Sequence, residues 1–499
     1  MKKVVYSLCL WLLASASSGY AAVNPSLVEW DSDGFSLHSQ DGENELRLGL
    51  LLQADQDIFF STEGLTINDG VDSVPVINRT NVDRMWIRRA RPIFSGHLLK
   101  YNSFVFVPDF GQGQTRLFDA AVDVHYIKWL GFMAGKQVSL LAGLQQFKDQ
   151  STLFLMEPGY ATNMAPNREI GFLLHGQWGP PGRADQSPPY VDQRGFREWF
   201  SYQIAMFSGT ADNTNPGLNP VTATAFSTEN ATLENKALEA RLFSNPFLGS
   251  GSFWLQGLGI GLAAGMDSPS NEANLPALLS VGQNPIFTYQ SNAVGNGQRY
   301  RFHPQGYWFV GSGGITIDWA FTAQHLLNKV LTAPPKVNTV SLLQHNHAGE
   351  VQVVYNLTGE PLDFMEKIIP FKPFNPYQKG AWGAFQLVGR WSMLSMSSNV
   401  FDAYMVSGDA SHYIYADPRT SVSHANTLSI GVNWILNQYV RMITEYDQTS
   451  FIGGCSSGAL SASENPGCLT GGNATYLLTS RVLNRPDEKV LMQRVQVQF

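Results

Sequence analysis

The last ten residues, Val490 to Phe499, restrict the fold more than any other stretch of this chain. Leu491, Val495, Val497 and Phe499 fall on one face of an extended strand, and Met492, Arg494, Gln496 and Gln498 on the other, because strand side chains alternate sides. A strand apolar on one side, polar on the other and finished by an aromatic makes a poor water-soluble edge, since its unpaired backbone groups invite aggregation. If the last strand instead pairs with the first, no edge remains; the apolar face then meets lipid. The competing reading is an edge strand of a soluble β-protein, and the rest of the chain has to decide between them.

Met1-Lys2-Lys3, the apolar run Val4 to Leu13 and the small-x-small ending Gly19-Tyr20-Ala21 read as a secretory leader, residues 1–21, cleaved after Ala21. The run is shorter than a membrane-spanning helix requires. No later stretch reaches that length, so the remaining residues, 22–499, are expected to form one domain, either soluble or a β-barrel. The formal charge of −7 becomes −9 once Lys2 and Lys3 leave with the leader, and no basic stripe is present to displace counterions from nucleic acid. Cys9 departs with the leader. Cys455 and Cys468 stay, in a Gly/Ser/Asn-rich segment, and an even pair in an exported chain reads as a disulfide.

Period-2 alternation recurs along the chain, with no convincing amphipathic helix. Leu46, Leu48, Leu50 and Leu52 alternate with Arg47, Gly49, Leu51 and Gln53; Leu428, Ile430, Val432 and Trp434 alternate with Ser429, Gly431 and Asn433. Trp129, Trp178, Trp199, Trp308, Trp319, Trp382, Trp434 and Tyr439 sit near segment ends, where the interface girdles of a barrel would use them. Connections read as short (Asn245 to Gly249, Leu436 to Gln438) or long (Ser61 to Thr80, Pro180 to Gly195, Gly209 to Asn235, Asp267 to Gln298, Ser450 to Asn473), as in barrels with short turns at one end and long loops at the other.

Specific residues sharpen this. Asp33-Gly34-Phe35-Ser36-Leu37, Ile87-Arg88-Arg89-Ala90-Arg91, Pro108-Asp109-Phe110-Gly111, Asp119-Ala120-Ala121-Val122-Asp123, Met156-Glu157, Ala165 to Gly171, Glu239 to Phe243, Leu357 to Glu360 and Gly380 to Ala384 occur in an order that resembles the phosphate- and polyphosphate-selective (O/P) porin family. The resemblance implies an all-β, transmembrane antiparallel β-barrel of 16 strands with an inward-folded constriction loop, assembled as a homotrimer in the outer membrane. It also implies passage of anions along a ladder of basic residues, without cofactors.

Charge on the lipid face near the midplane costs about 2 to 4 kcal/mol, so strand arginines flanked by apolar neighbours should face the lumen. Arg47, Arg88, Arg241, Arg390, Arg441 and Arg494 are the pore-lining candidates. Arg89 adjoins Arg88 and cannot share its face in a regular strand, which implies a bulge, an interface position or a subunit contact. Leu140 to Arg168 is the candidate constriction loop, with Lys136, Lys148, Glu157 and Arg168 as its charged candidates. The chain departs from the family pattern there: Val138 stands at the family's lysine position, and Pro158 follows Glu157 where the family has arginine. Together with the acidic balance, this favours a weakly selective pore for small hydrophilic solutes over strict phosphate specificity. His345 and His347 lack a third ligand nearby and read as loop histidines, not a metal site. A surface receptor with functional loops and, behind it, a barrel hydrolase are the other classes, although no catalytic motif is found in a fitting context.

Overall fold

The computed structural model describes residues 28–31, 34–60, 65–68, 73–76, 83–113, 115–147, 151–179, 196, 198–209, 236–272, 275–332, 336–404, 412–456 and 482–499. The leader, Lys148 and Cys468 therefore lie outside the described residues; Cys455 is disulfide-bonded.

Sixteen antiparallel strands close into one barrel: β1 Glu45–Phe59, β2 Arg84–Leu98, β3 Asn102–Asp109, β4 Arg116–Ile127, β5 Leu130–Val138, β6 Arg168–Trp178, β7 Phe200–Phe207, β8 Ala237–Ser244, β9 Leu258–Asp267, β10 Ala293–Val310, β11 Gly313–Thr332, β12 Lys336–Asn356, β13 Ala384–Ser395, β14 Val422–Ile435, β15 Val440–Ser456 and β16 Glu488–Gln498. Closure is made by β16 on β1, from Val490 opposite Phe59 to Gln498 opposite Leu51. The seam runs to the final residue, where Phe499 N and Leu50 O, and Leu50 N and Phe499 O, exchange hydrogen bonds of 3.1 and 2.9 Å. With no edge left, the backbone requirement of a lipid-spanning sheet is met.

Side-chain parity matches that closure. Exposed residues form an apolar outer belt, including Ile204, Leu242, Ile260, Ile317, Phe321 and Ile430, while Gln53, Asp55, Arg241, Asp318, Glu350 and Arg494 on the other face are almost wholly buried. Where β16 runs out, an N-terminal hairpin (Val28–Asp31 with Gly34–His38) takes over the edge of β1 at Glu45 to Leu48. Its Trp30 covers the terminal ring of Phe499, with centroids 5.1 Å apart, and donates to Tyr439 Oη at 3.1 Å.

Three expectations need correction. The connection 179–199, which holds Pro180 to Gly195, joins β6 to β7 at the same end as the short turns, and the 27-residue connection 357–383 between β12 and β13 is also at that end. Loop length therefore does not separate the two ends cleanly in this chain. His345 and His347 lie within β12, not in a loop, with His347 paired to Phe321 and Ser395. Of the aromatics noted above, all but Trp319 cluster at the turn end; Trp319 lies within β11, its ring 6.3 Å from that of Trp391.

Candidate functional site

The described residues of the connection between β5 and β6, 139–147 and 151–167, fold into the barrel and bury Leu144, Phe147, Phe154, Leu155, Met156 and Tyr160. The loop is short of regular structure, with one helical turn at Leu144–Phe147 and a 3-10 turn at Tyr160–Met164. Its backbone polar groups cannot be left unpaired away from water, and the barrel wall supplies the partners. Wall acceptors take its N–H groups: Leu140 N donates to Glu239 at 2.8 Å, Leu144 N to Asp318 at 2.6 Å, Met156 N to Glu445 at 2.6 Å and Tyr160 N to Ser392 at 2.8 Å. Wall donors serve its carbonyls: Gln496 reaches Ser151 O at 2.7 Å, Arg441 Leu153 O at 2.8 Å, Asn433 Phe154 O at 2.8 Å, Arg494 Met156 O at 2.7 Å and Arg390 Glu157 O at 2.6 Å. Gly159 allows the closest approach, since a Cβ there would overlap the Glu350 carboxylate.

Glu157 anchors the loop through its side chain. Its carboxylate receives Arg88 at 2.7 and 2.8 Å, Arg89 at 3.2 Å and Arg494 at 2.9 Å. Such charge-assisted, partly bidentate pairs are the stronger kind of hydrogen bond. Burial pushes the Glu157 carboxyl up, but Arg88, Arg89 and Arg494 pull it down further and hold it well below the ordinary carboxylate range.

Arg88 and Arg89 both face inward because β2 carries a bulge: Gln53 pairs with Arg89 and Ala54 with Ile87, which leaves Arg88 as the extra residue. A second bulge, opposite Pro108, has the same effect at Phe118 in β4, where Val107 pairs with Asp119 and Pro108 with Leu117. The Phe118 ring then contacts two guanidiniums, Arg91 at 3.5 Å and Arg168 at 4.1 Å from its centroid. Between β2 to β4 and the inward loop lies a cleft of about 810 Å³, counting its solvent-open mouth. Its charged lining consists of Arg88, Arg89, Arg91 and Arg116 against Asp109 and Glu157.

The other sequence candidates are distributed as follows. Arg390, Arg441 and Arg494 are packed behind the inward loop and spend donors on its carbonyls. Arg241, also buried, donates to Gln203 and Gln305 and lies over the rings of Phe147, Phe196 and Phe243 at 4.3 to 4.8 Å. Arg47 is part-exposed near the turn end and pairs with Glu45 at 2.6 Å. Lys136 is buried in β5, in register with Ala120 and Ile170. Arg168 pairs with Asp119 at 2.7 Å. Sequence reading overlooked Arg91, Arg116, Arg299 and Arg301. The first could have been found from the Arg89-Ala90-Arg91 alternation, and the last two from Arg299-Tyr300-Arg301, but the closing partners come from distant strands.

No family model and no curated protein matches the chain. Among solved structures, it is similar to the outer membrane channel DcaP of Acinetobacter baumannii (8% identity, 93% of this chain and 99% of that one, TM-score 0.48). It is also similar to OmpT, an outer membrane protein of Vibrio cholerae (8%, 92% and 98%, 0.46), and to an anion-selective porin from Comamonas acidovorans (9%, 92% and 100%, 0.46).

Proposed function

We propose that this protein is an outer-membrane porin, a passive diffusion channel for small hydrophilic solutes that prefers anions and carries out no covalent step. The observation that supports this most is the charge of the cleft beside the inward loop, where four guanidiniums face two carboxylates. An anion passing there meets partial compensation for its lost hydration, from several sites weak enough to release it. Because Arg88 and Arg89 already share Glu157, and Val138 replaces the basic residue that the family resemblance implies, the preference extends to anions broadly, with phosphate as one of them. The Arg390, Arg441 and Arg494 side of the wall serves to hold the constriction loop, while the Arg91 and Arg116 side meets the solute.

A homotrimer belongs to the same proposal. β3, β7 and β8 have eight residues each, against 20 and 21 in β11 and β12. Eight residues tilted in the usual way rise only about 20 Å, less than the roughly 25 Å apolar band, so the low wall is suited to burial against neighbouring copies. The channel reading is tested by reversal potentials in planar bilayers under a KCl gradient. A potential of the anion-selective sign supports it, and a cation-selective one removes the assignment of the basic cleft as the solute path.

A further inference from the structure

The connection 357–383 divides into two halves of opposite chemistry. Residues 357–366 carry Glu360, Asp363 and Glu366 and no basic residue; residues 367–383 carry Lys367, Lys372 and Lys379 and no acidic one. The acidic half turns into the barrel, where Leu362 and Phe364 are buried against Tyr307, Phe309 and the inward loop's Phe154. Lys367 and Ile368 stay with it at the inward loop, and from Ile369 the basic half presents its large side chains the other way. Ile369 is 56% exposed, Phe371 68%, Trp382 62% and Tyr377 98%.

This exposure belongs to an ordered element. Phe374 N donates to Leu436 O at 2.7 Å, Gly383 N to Lys372 O at 3.1 Å and Trp434 Nε1 to Trp382 O at 2.7 Å, while the Phe374 ring meets Trp434 edge-on at 5.2 Å. The patch thus continues the lipid-facing side of β13 and β14 beyond the barrel, at the end that carries the aromatic cluster. Water is a poor neighbour for a contiguous surface of this kind. A two-fold contact with a second copy is equally poor, because it would set like-charged lysines against each other.

We propose that residues 369–383 form an interfacial anchor that docks on anionic phospholipid headgroups at the turn end of the barrel. Phe371, Tyr377 and Trp382 enter the headgroup layer, where amphipathic rings are favoured, and Lys372 and Lys379 meet the phosphates. The inference rests on the membrane orientation of the barrel and stands whether or not the pore selects anions.

The test uses the full chain with Tyr377→Cys carrying an environment-sensitive dye, reconstituted in vesicles of phosphatidylcholine alone or with phosphatidylglycerol. The proposal expects a blue-shifted emission, quenching by headgroup-depth spin-labelled lipid and protection from aqueous iodide, all stronger with phosphatidylglycerol. Each lysine near an anionic surface is worth about fivefold in partition, so K372Q/K379Q should lower the anionic-lipid preference by about 25-fold at low salt. Unchanged heat-modifiable gel migration checks that the variant is folded. Equal iodide access in detergent and in both vesicles overturns the proposal. So does protection that ignores phosphatidylglycerol, or that appears only on adding an acidic protein or at high protein density.

Discussion

Replacing Glu157 by glutamine alters the charge of the cleft while keeping the shape of the side chain that fastens the inward loop. Four guanidiniums and two carboxylates line the cleft, a balance of two positive charges, and the substitution makes it three. For an ion passing about 6 Å away in water-like surroundings, one unit of charge is worth about 0.7 kcal/mol. Screening at 0.1 M salt leaves roughly 0.4 kcal/mol, since the distance is about half a Debye length or a little more. That is about a twofold enrichment of a monovalent anion and an equal depletion of a cation, so the anion-to-cation permeability ratio should rise about fourfold. Reversal potentials in planar bilayers give the ratio, and single-channel current checks that the loop has stayed in place, because the amide can still accept from one arginine. An unchanged ratio at unchanged conductance would refute the reasoning, as would a shift toward cations. A large rise in conductance with loss of selectivity would show that Glu157 matters as a fastening and not as a counter-ion.

Gly159→Ala forces a Cβ into the Glu350 carboxylate and close to Ser392 Oγ, an overpacking worth about 1 to 3 kcal/mol; it should lower the unfolding temperature of the reconstituted barrel and raise its conductance. Phe364→Ala removes the turn-side ring stacked on Tyr307 at 4.7 Å, so single-channel current should increase with little effect on the ion preference. The Glu157 carboxyl is depressed in the folded state, so its stabilising contribution is complete above the ordinary glutamate value and is lost only as pH falls through the lower folded value. The conductance difference between the wild type and Glu157→Gln should therefore stay constant between pH 7 and 5 and close only well below the ordinary glutamate range. A transition at pH 5 to 6 would point to a different group.

Parity made the outer wall legible. Leu491, Val495 and Val497 against Met492, Arg494 and Gln496 gave the last strand its two faces, and the same rule turned Arg88, Arg241, Arg390, Arg441 and Arg494 inward. The doubled arginine at Arg88-Arg89 announced an irregularity, and the structure resolves it as a bulge. What parity could not supply is the identity of partners. Asp318, Glu350 and Glu445 lie 170 or more residues from the loop atoms they face, and spacing along a chain carries no trace of such a distance. Loop length does not tell the two ends of the barrel apart for a related reason: 357–383 is long because it does two things at the turn end, filling the lumen with Phe364 and presenting Tyr377 outward.

The account depends on the interior remaining a path for ions in spite of the loops packed inside it. Purified protein added to a planar lipid bilayer at symmetrical 1 M KCl tests this directly. Discrete, stepwise current increases of uniform size are the predicted result. A bilayer that stays silent while the same preparation shows a folded barrel by heat-modifiable migration would contradict it.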